Sequence, residues 1–189
     1  MEPKEFLAFL SRLEKLKCNT RHSWTSTGRH ESVAEHSWRL AVMALLLKNE
    51  LPGVDMDKVL HMCLLHDIGE AVTGDIPSFE KTEDNEETER QAIAELLAPL
   101  PEPLRGELRL LFAEMDALTT PEARVYKALD KLEVVVQHNE ASLDTWLPLE
   151  YELNQTHGVP EAAPFPPLAA LREQARLDTL AKLGEVDNP

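Results

Sequence analysis

The feature that most constrains the fold is residues 57–65, a stretch that is apolar nearly all round when it is written as a helix. A helix with apolar side chains on every side has to lie among other elements. This stretch runs directly into the string HDIGE, residues 66–70, which offers an imidazole and two carboxylates. The sequence therefore predicts an innermost helix whose end carries groups able to bind a metal ion or move a proton.

The remaining apolar segments also repeat with helical spacing. Apolar residues recur every three or four positions in six further segments, and we find no alternating strand pattern, internal repeat or glycine-rich phosphate loop. The predicted helices cover residues 5–17, 32–49, 57–69, 90–100, 104–118, 121 to beyond 136, and 168–184. The predicted fold is an all-α bundle, and we expect the stripe of the first helix (Phe6, Leu7, Phe9, Leu10, Leu13 and Leu16) to lie in its core.

Length and composition favour one domain. The 189 residues are 43% hydrophobic, which is enough to fill a single core of ordinary size. We treat residues 1–189 as one domain, with the core at about 5–151, a proline-rich connector at 159–167 and a last amphipathic helix at 168–184. Cys18 and Cys63 form no C-x-x-C pair and are expected to be buried free thiols.

The charge restricts the partners. A formal net charge of -15 with no block of Lys or Arg argues against polymeric nucleic acid. A single small phosphate is compatible with this charge, because a metal and one or two arginines can neutralise it locally. No run approaches the roughly 20 apolar residues of a membrane helix, and residues 1–5 do not resemble a signal peptide. We therefore expect no membrane partner and a cytoplasmic location.

Four candidate metal donors come from three predicted core helices: His36, His66, Asp67 and Asp130. Two nitrogens and two carboxylates suit divalent ions such as manganese, cobalt, zinc or iron. Each donor also has a purely structural interpretation. His36 could be a histidine of the core without a ligand, His66 could stabilise a helix C-terminus, and Asp130 could form a salt bridge with a neighbouring lysine.

Two segments predicted as loops flank these helices. Residues 18–30 are polar, and Arg21 there could meet a phosphate while Trp24 could cover a flat ligand or pack on the core. The pair Ser32 and Glu35 predicts a capping box that opens the helix carrying His36. Residues 71–78 are punctuated by Gly and Pro and supply one further acid, Asp75.

Four ordered strings resemble one family. The strings ESVAEHS (31–37), LHDIGE (65–70), TGDIP (73–77) and LDKLE (129–133) are similar to the HD-domain metal-dependent phosphohydrolases, in particular to their 5'-deoxynucleotidase branch. The similarity runs from about residue 16 to residue 151. It implies a helical HD-domain bundle with one divalent ion (Mn, Co, Zn, Fe or Mg) at its centre, held by His36, His66, Asp67 and Asp130.

The resemblance also implies roles for other side chains. Glu70 would take a proton from water, and Asp75 would contact the substrate and protonate the leaving oxygen. The implied substrate-binding residues are Arg21 for the phosphate, Trp24 for the sugar, and Asp75, Ile76, Pro77 and Ser78 in the substrate loop. In the bacterial member of this 5'-deoxynucleotidase branch the Arg and Trp are adjacent, whereas here two residues separate them, a spacing more like that of the eukaryotic relatives.

The leading hypothesis is a metal-dependent phosphomonoesterase that hydrolyses nucleoside 5'-monophosphates, with deoxynucleotides preferred. A nucleotide is then the small-molecule partner, and family likeness together with the apolar face of the last helix suggests a homodimer. Two alternatives stay open. One is an HD phosphohydrolase for a cyclic nucleotide, a triphosphate or a guanosine polyphosphate, and the other is a non-catalytic HD domain that binds nucleotide.

Overall fold

The computed structural model describes residues 1–77 and 79–184, and most of these residues are helical. The helices are α1 (Pro3–Leu13), α2 (Val33–Leu46), α3 (Met56–Leu65), α4 (Glu70–Thr73), α5 (Glu83–Leu97), α6 (Leu104–Ala117), α7 (Pro121–Glu140), α8 (Glu150–Thr156), α9 (Val159–Ala162) and α10 (Pro166–Gly184). Short 3-10 turns cover Glu14–Lys17 and Leu143–Thr145, and a hairpin pairs β1 (Thr20–Trp24) with β2 (His30–Ser32). The predicted helical fold class is confirmed.

The core forms where α3 packs against both α2 and α7. Val59 and Met62 of α3, Leu40 of α2 and Leu129 of α7 have no exposed surface. The expectation that α3 is covered on all sides is too strong, because Leu64 is 45% exposed. One edge of α3 therefore faces solvent, while the rest of the helix fixes the position of the polar string that follows it.

Helix α1 differs from the prediction. Phe6, Leu7 and Leu10 are 50%, 64% and 45% exposed, so half of the stripe expected in the core is on the surface. The helix reaches the bundle along one edge only, through partly buried Phe9 and Leu13. Periodicity identifies an apolar face but does not say whether another element covers it.

The two cysteines differ in solvent exposure. Cys63 on α3 is buried as predicted, whereas Cys18, just after the first 3-10 turn, is exposed. The expectation of a buried thiol at position 18 is wrong because Cys18 follows α1 and its 3-10 turn, where the bundle does not cover the chain.

The polar segment after α1 forms a hairpin, which the sequence did not predict. Thr20 pairs with Ser32 and Trp24 with His30, with an irregular register between them. The strands are short and mostly polar, so no alternation of apolar residues marks them. Ser32 ends β2 and also caps α2, since its Oγ accepts a hydrogen bond from the Glu35 amide at 3.2 Å, as the predicted capping box requires. The hairpin is thereby fixed to α2.

The C-terminal part packs on α7. The predicted connector is partly helical, because α9 lies within it and α10 begins at Pro166. Asn139 of α7 donates to the Ala175 carbonyl at 2.8 Å, and buried Arg172 donates to the His157 and Asn154 carbonyls. These bonds hold α10 and α8 against the bundle. None of the described helices combines the length and apolar character needed to cross a bilayer.

Gly158, between α8 and α9, generates a test of this packing. Its φ is +77°, and a Cβ at this position would lie 2.9 Å from Cβ of Lys131 on α7. We expect Gly158→Ala to lower the free energy of unfolding by about 2 to 3 kcal/mol through backbone strain plus the clash. Gly53→Ala is the matched control, with φ of +89° and no atom within 4 Å, and should cost only about 1 kcal/mol. Urea unfolding measures both, and equal losses would show that the contact with α7 does not matter.

Candidate metal centre and active site

The structure brings the four predicted metal donors together. His36 comes from the first turn of α2, His66 and Asp67 follow the last turn of α3, and Asp130 lies in the middle of α7. Both histidines are buried, and the side chains of Asp67 and Asp130 are only 13% and 14% exposed. Three helices that pack for hydrophobic reasons therefore deliver two nitrogens and two carboxylates to one place.

The separations of these donor atoms suit a single cation. Nε2 of His36 lies 3.2 Å from Nε2 of His66, 3.3 Å from Oδ1 of Asp130 and 4.0 Å from Oδ2 of Asp67. Nε2 of His66 lies 3.0 Å from Oδ2 of Asp67 and 3.8 Å from Oδ1 of Asp130. Ligands about 2.1 Å from one ion lie roughly 3 to 4 Å apart. The donor set and its spacing therefore fit a divalent metal.

A buried carboxylate orients His36. Nδ1 of His36 lies 2.5 Å from Oε2 of Glu133, one turn of α7 after Asp130, and Glu133 has no exposed surface. Arg39 donates from Nε to the other carboxylate oxygen at 2.6 Å. A proton on Nδ1 leaves Nε2 of His36 free to bind a metal, which is the usual role of a carboxylate behind a metal-binding histidine. His66 is oriented likewise, with Nδ1 2.9 Å from the Cys63 carbonyl.

The same neighbours determine the charges at the centre. Burial alone would raise the pKa of Asp67, but the nearby His66, His36 and Arg21 hold it well below its ordinary value. Burial likewise opposes ionisation of Asp130, and Lys127 with the two histidines holds its pKa well below the ordinary value. Both carboxylates are therefore anionic over the whole physiological pH range and available to a cation.

The predicted proton-transfer and phosphate groups line a cavity beside the donors. Its described walls include Asp67 and Asp130, together with Arg21, Glu70, Asp75, Ile76 and Pro77. Arg21 lies with Nη1 3.4 Å from Oδ2 of Asp67, so its guanidinium is next to the metal position. The structure thus brings these five predicted site residues to the donor set, while Ser78 lies outside the described residues.

Glu70 is the unusual group of this cavity. It is 4% exposed, and its Oε2 is buried without a hydrogen-bond partner among the described residues. Burial, then repulsion by Asp67 and Asp75, raises its pKa to about 10 in the metal-free protein. A divalent ion nearby would favour the carboxylate and lower this pKa again. Such a group exchanges a proton readily once a cation is present.

Trp24 does not join the site. It is not among the described residues that line the cavity, and its ring packs on His30 with centroids 4.0 Å apart. The cavity is lined instead by His22, two residues earlier on β1. Because two residues separate Arg21 from Trp24, the tryptophan lies outside the cavity.

Sequence reasoning missed several residues at the site. Glu133 belongs to the LDKLE string, and its spacing three after Asp130 could have marked it as a neighbour of the metal. Lys127 is one of the lysines near Asp130 in the sequence, and the structure shows it bonded to Oδ2 of Asp130 at 2.8 Å and also lining the cavity. Glu150 lies at the far end of the cavity on α8, a helix without any clear sequence signal.

Glu133→Gln tests the role of the buried carboxylate. We expect the affinity for Mn²⁺ to fall about 10- to 100-fold, because His36 loses the anion that fixes its ring and raises its basicity. Glu140→Gln is the matched control, since Glu140 bonds the same Arg39 at 2.6 Å without touching His36. Isothermal titration with Mn²⁺ measures both variants, and equal affinities would remove Glu133 from the metal site.

Glu70→Gln tests the raised pKa. The pKa of the Glu70 carboxyl is about 4.3 in the unfolded chain and about 10 in the folded protein. Its contribution to stability is therefore complete below about pH 4.3 and is lost as the pH rises toward about 10. Glutamine cannot ionise, so we expect the metal-free variant to gain stability over the parent protein, by more at about pH 8 than at about pH 5. Urea unfolding in chelator measures this gain. Glu152→Gln, at an exposed acid, should show no such trend, and a gain for Glu70→Gln that is independent of pH would contradict the raised pKa.

Comparison with known proteins agrees with this geometry. The family described as HD domain matches residues 13–165. The 5'-deoxynucleotidase HDDC2 of Homo sapiens is 33% identical over 141 residues, which cover 72% of this chain and 68% of the human protein. The 5'-deoxynucleotidase hdd1 of Schizosaccharomyces pombe is 32% identical over 137 residues, covering 68% of each chain.

A solved structure extends the match to nearly the whole chain. The crystal structure of a protein described as a predicted metal-dependent phosphohydrolase from Magnetospirillum magnetotacticum superimposes with a TM-score of 0.81 at 30% identity, covering 95% of this chain and 93% of that one. The family match includes all four metal donors and both proton-transfer candidates. On this sequence match, supported by the fold, the chain belongs to the HD-domain family.

Proposed function

We propose that this protein is a metal-dependent 5'-nucleotidase that hydrolyses deoxynucleoside 5'-monophosphates to nucleoside and phosphate. The observation that carries the proposal is the meeting of His36, His66, Asp67 and Asp130. The two aspartates line a cavity that also holds Glu70, whose carboxylate has no hydrogen-bond partner among the described residues. A site for binding alone has no need of a buried acid without a partner. The names of the human and fission-yeast relatives support the choice of substrate.

His36, His66, Asp67 and Asp130 would hold one divalent ion, whose identity among Mn, Co, Zn, Fe and Mg the donor set leaves open. When bound, such an ion lowers the pKa of a water molecule and polarises a phosphate oxygen. The surrounding residues would hold these four side chains ready for the ion. Glu133 fixes His36, and Lys127 neutralises the second oxygen of Asp130.

Arg21 would orient the phosphate. Asp67 and other nearby acids raise its pKa against the effect of burial, so the guanidinium stays charged. Its planar fork of donors suits a phosphate group. A bound phosphate would share the guanidinium with Asp67 and with Glu31, which lies 3.5 Å from Nε.

Glu70 and Asp75 would divide the proton transfers. Glu70 takes a proton from the attacking water as the new O–P bond forms. Asp75, whose pKa burial raises above its ordinary value, gives a proton to the 5'-oxygen as the P–O bond to the nucleoside breaks. The products are then a neutral alcohol and inorganic phosphate.

Other features of the protein are part of the same proposal. We treat the chain as one domain that acts in the cytoplasm as a homodimer. The exposed apolar residues Phe6, Leu7 and Leu10 of α1 supply a surface that association could cover, in addition to the partly exposed face of α10.

Phosphate release from a substrate panel tests the function. The panel contains ribo- and deoxynucleoside 5'-monophosphates, triphosphates and cyclic nucleotides, each with Mn²⁺, Co²⁺, Zn²⁺ or chelator. We expect release from 5'-monophosphates that chelator abolishes, faster for deoxy than for ribo substrates. Glu70→Gln should lower this turnover by at least about 100-fold while the protein retains its metal.

Three results would contradict the proposal or one of its assigned roles. Activity on triphosphates or cyclic nucleotides, but not on monophosphates, would assign a different HD reaction. Metal binding without any hydrolysis would indicate a binding domain. Loss of metal in Glu70→Gln would make Glu70 a ligand rather than the group that accepts the proton.

A further inference from the structure

The active-site cavity extends well beyond the metal donors, along one face of α7. Asp130, Val134 and His138 all line it and are spaced four residues apart. Eight residues of helix rise about 12 Å, which is on the scale of the distance from the phosphate to the base of a nucleotide. The cavity therefore has a second end, two turns of α7 away from the metal position.

Three ionisable side chains meet at this second end. Oε1 of Glu150 lies 3.0 Å from Nε2 of His22 and 3.4 Å from Nε2 of His138. Glu150 is 1% exposed, and its other oxygen accepts a hydrogen bond from the Leu147 amide at 2.6 Å. The carboxylate is thus fixed to the backbone at the start of α8, and a His22 ring with its proton on Nε2 faces it. Among the described residues Oε1 makes no regular hydrogen bond, so its contact with the two imidazole rings is one of proximity.

His22 and Phe79 form a corner that lines the cavity. Their ring centroids are 5.9 Å apart, and the ring planes are nearly perpendicular, at 86°. Both rings retain accessible surface, with the His22 side chain 25% exposed and Phe79 40% exposed. A flat heterocycle can lie on the face of one ring while its edge meets the other.

The order along β1 links this corner to the phosphate. Arg21, next to the metal donors, directly precedes His22, and both line the same cavity. Trp24 packs on His30 instead. An extended substrate whose phosphate meets Arg21 would therefore direct its other end toward His22.

We propose that the His22–Phe79 corner binds the nucleobase of the substrate, with Glu150 as the positioning residue of His22. The proposal rests on the proposed function and deepens it. Because the contact is by ring packing, it accepts purines and pyrimidines alike.

The test compares two substrates that differ only in the base. These are deoxyadenosine 5'-monophosphate and 2-deoxyribose 5-phosphate, assayed with Mn²⁺ on the wild-type protein and its variants. We expect His22→Ala and Phe79→Ala each to raise KM for the nucleotide about tenfold and to leave KM for the sugar phosphate unchanged. His61→Ala, at an exposed histidine of α3, is the matched control and should change neither.

Glu150→Gln examines the positioning role. We expect KM for the nucleotide to rise and KM for the sugar phosphate to stay constant, because His22 loses its anionic partner while the metal end is intact. A purely structural role would raise KM for both substrates. An equal effect of Glu150→Gln on the two substrates would therefore overturn the assignment of Glu150.

The outcomes separate this inference from the proposed function. If the wild-type protein hydrolyses neither substrate, the proposed function itself fails. If it hydrolyses the nucleotide and the His22 and Phe79 variants keep their KM for it, only the corner is wrong. A higher nucleotide KM in Trp24→Leu but not in His22→Ala would likewise overturn the proposal and assign the contact to Trp24.

Discussion

The contact between Nδ1 of His36 and the carboxylate of Glu133 is the interaction on which the rest of the centre depends. It joins α2 to α7 at a point where both side chains have no exposed surface. A buried carboxylate is costly unless it is paired. Here both His36 and Arg39 pair with the carboxylate of Glu133. The pair fixes the relative position of two helices, and α3 packs against both of them. The meeting of the four candidate metal donors is therefore a consequence of how the core helices pack.

The electrostatics of the centre follow from concentrating acids in a small volume. The protein carries a net charge of -15, yet Arg21 contacts Asp67 and Lys127 contacts Asp130, both candidate donors. Arg39 contacts Glu133, the carboxylate behind His36. Among the described residues Glu70 has no such partner, and burial together with the nearby Asp67 and Asp75 raises its pKa to about 10. A bound cation would reduce the repulsion among these carboxylates, so the site favours positive charge. Binding of a cation would also lower the pKa of Glu70.

Much of the fold could be predicted because its signals are local. The Ser32–Glu35 capping box, the proline at the start of α7 and the periodicity of α2, α3 and α7 depend on neighbours within one or two turns. The hairpin and α8 gave no such signal. Exposure of the α1 stripe depends on what covers it, which periodicity does not report. In the site, the HD strings predicted four candidate donors, which the structure places close together, whereas the placement of Trp24 depends on the course of β1 and was not foreseen.

The structure distributes chemistry and substrate contact over different elements. Metal donors and the buried carboxylate lie on or next to α2, α3 and α7, whose packing leaves little freedom for change. The far end of the cavity is lined by His22 of the hairpin, Phe79 and Glu150 of α8, together with Val134 and His138 of α7. Replacements of His22 and Phe79, whose side chains are partly exposed, need not disturb the bundle. A lineage can thus acquire new substrates by altering such exposed residues while it inherits the reaction unchanged.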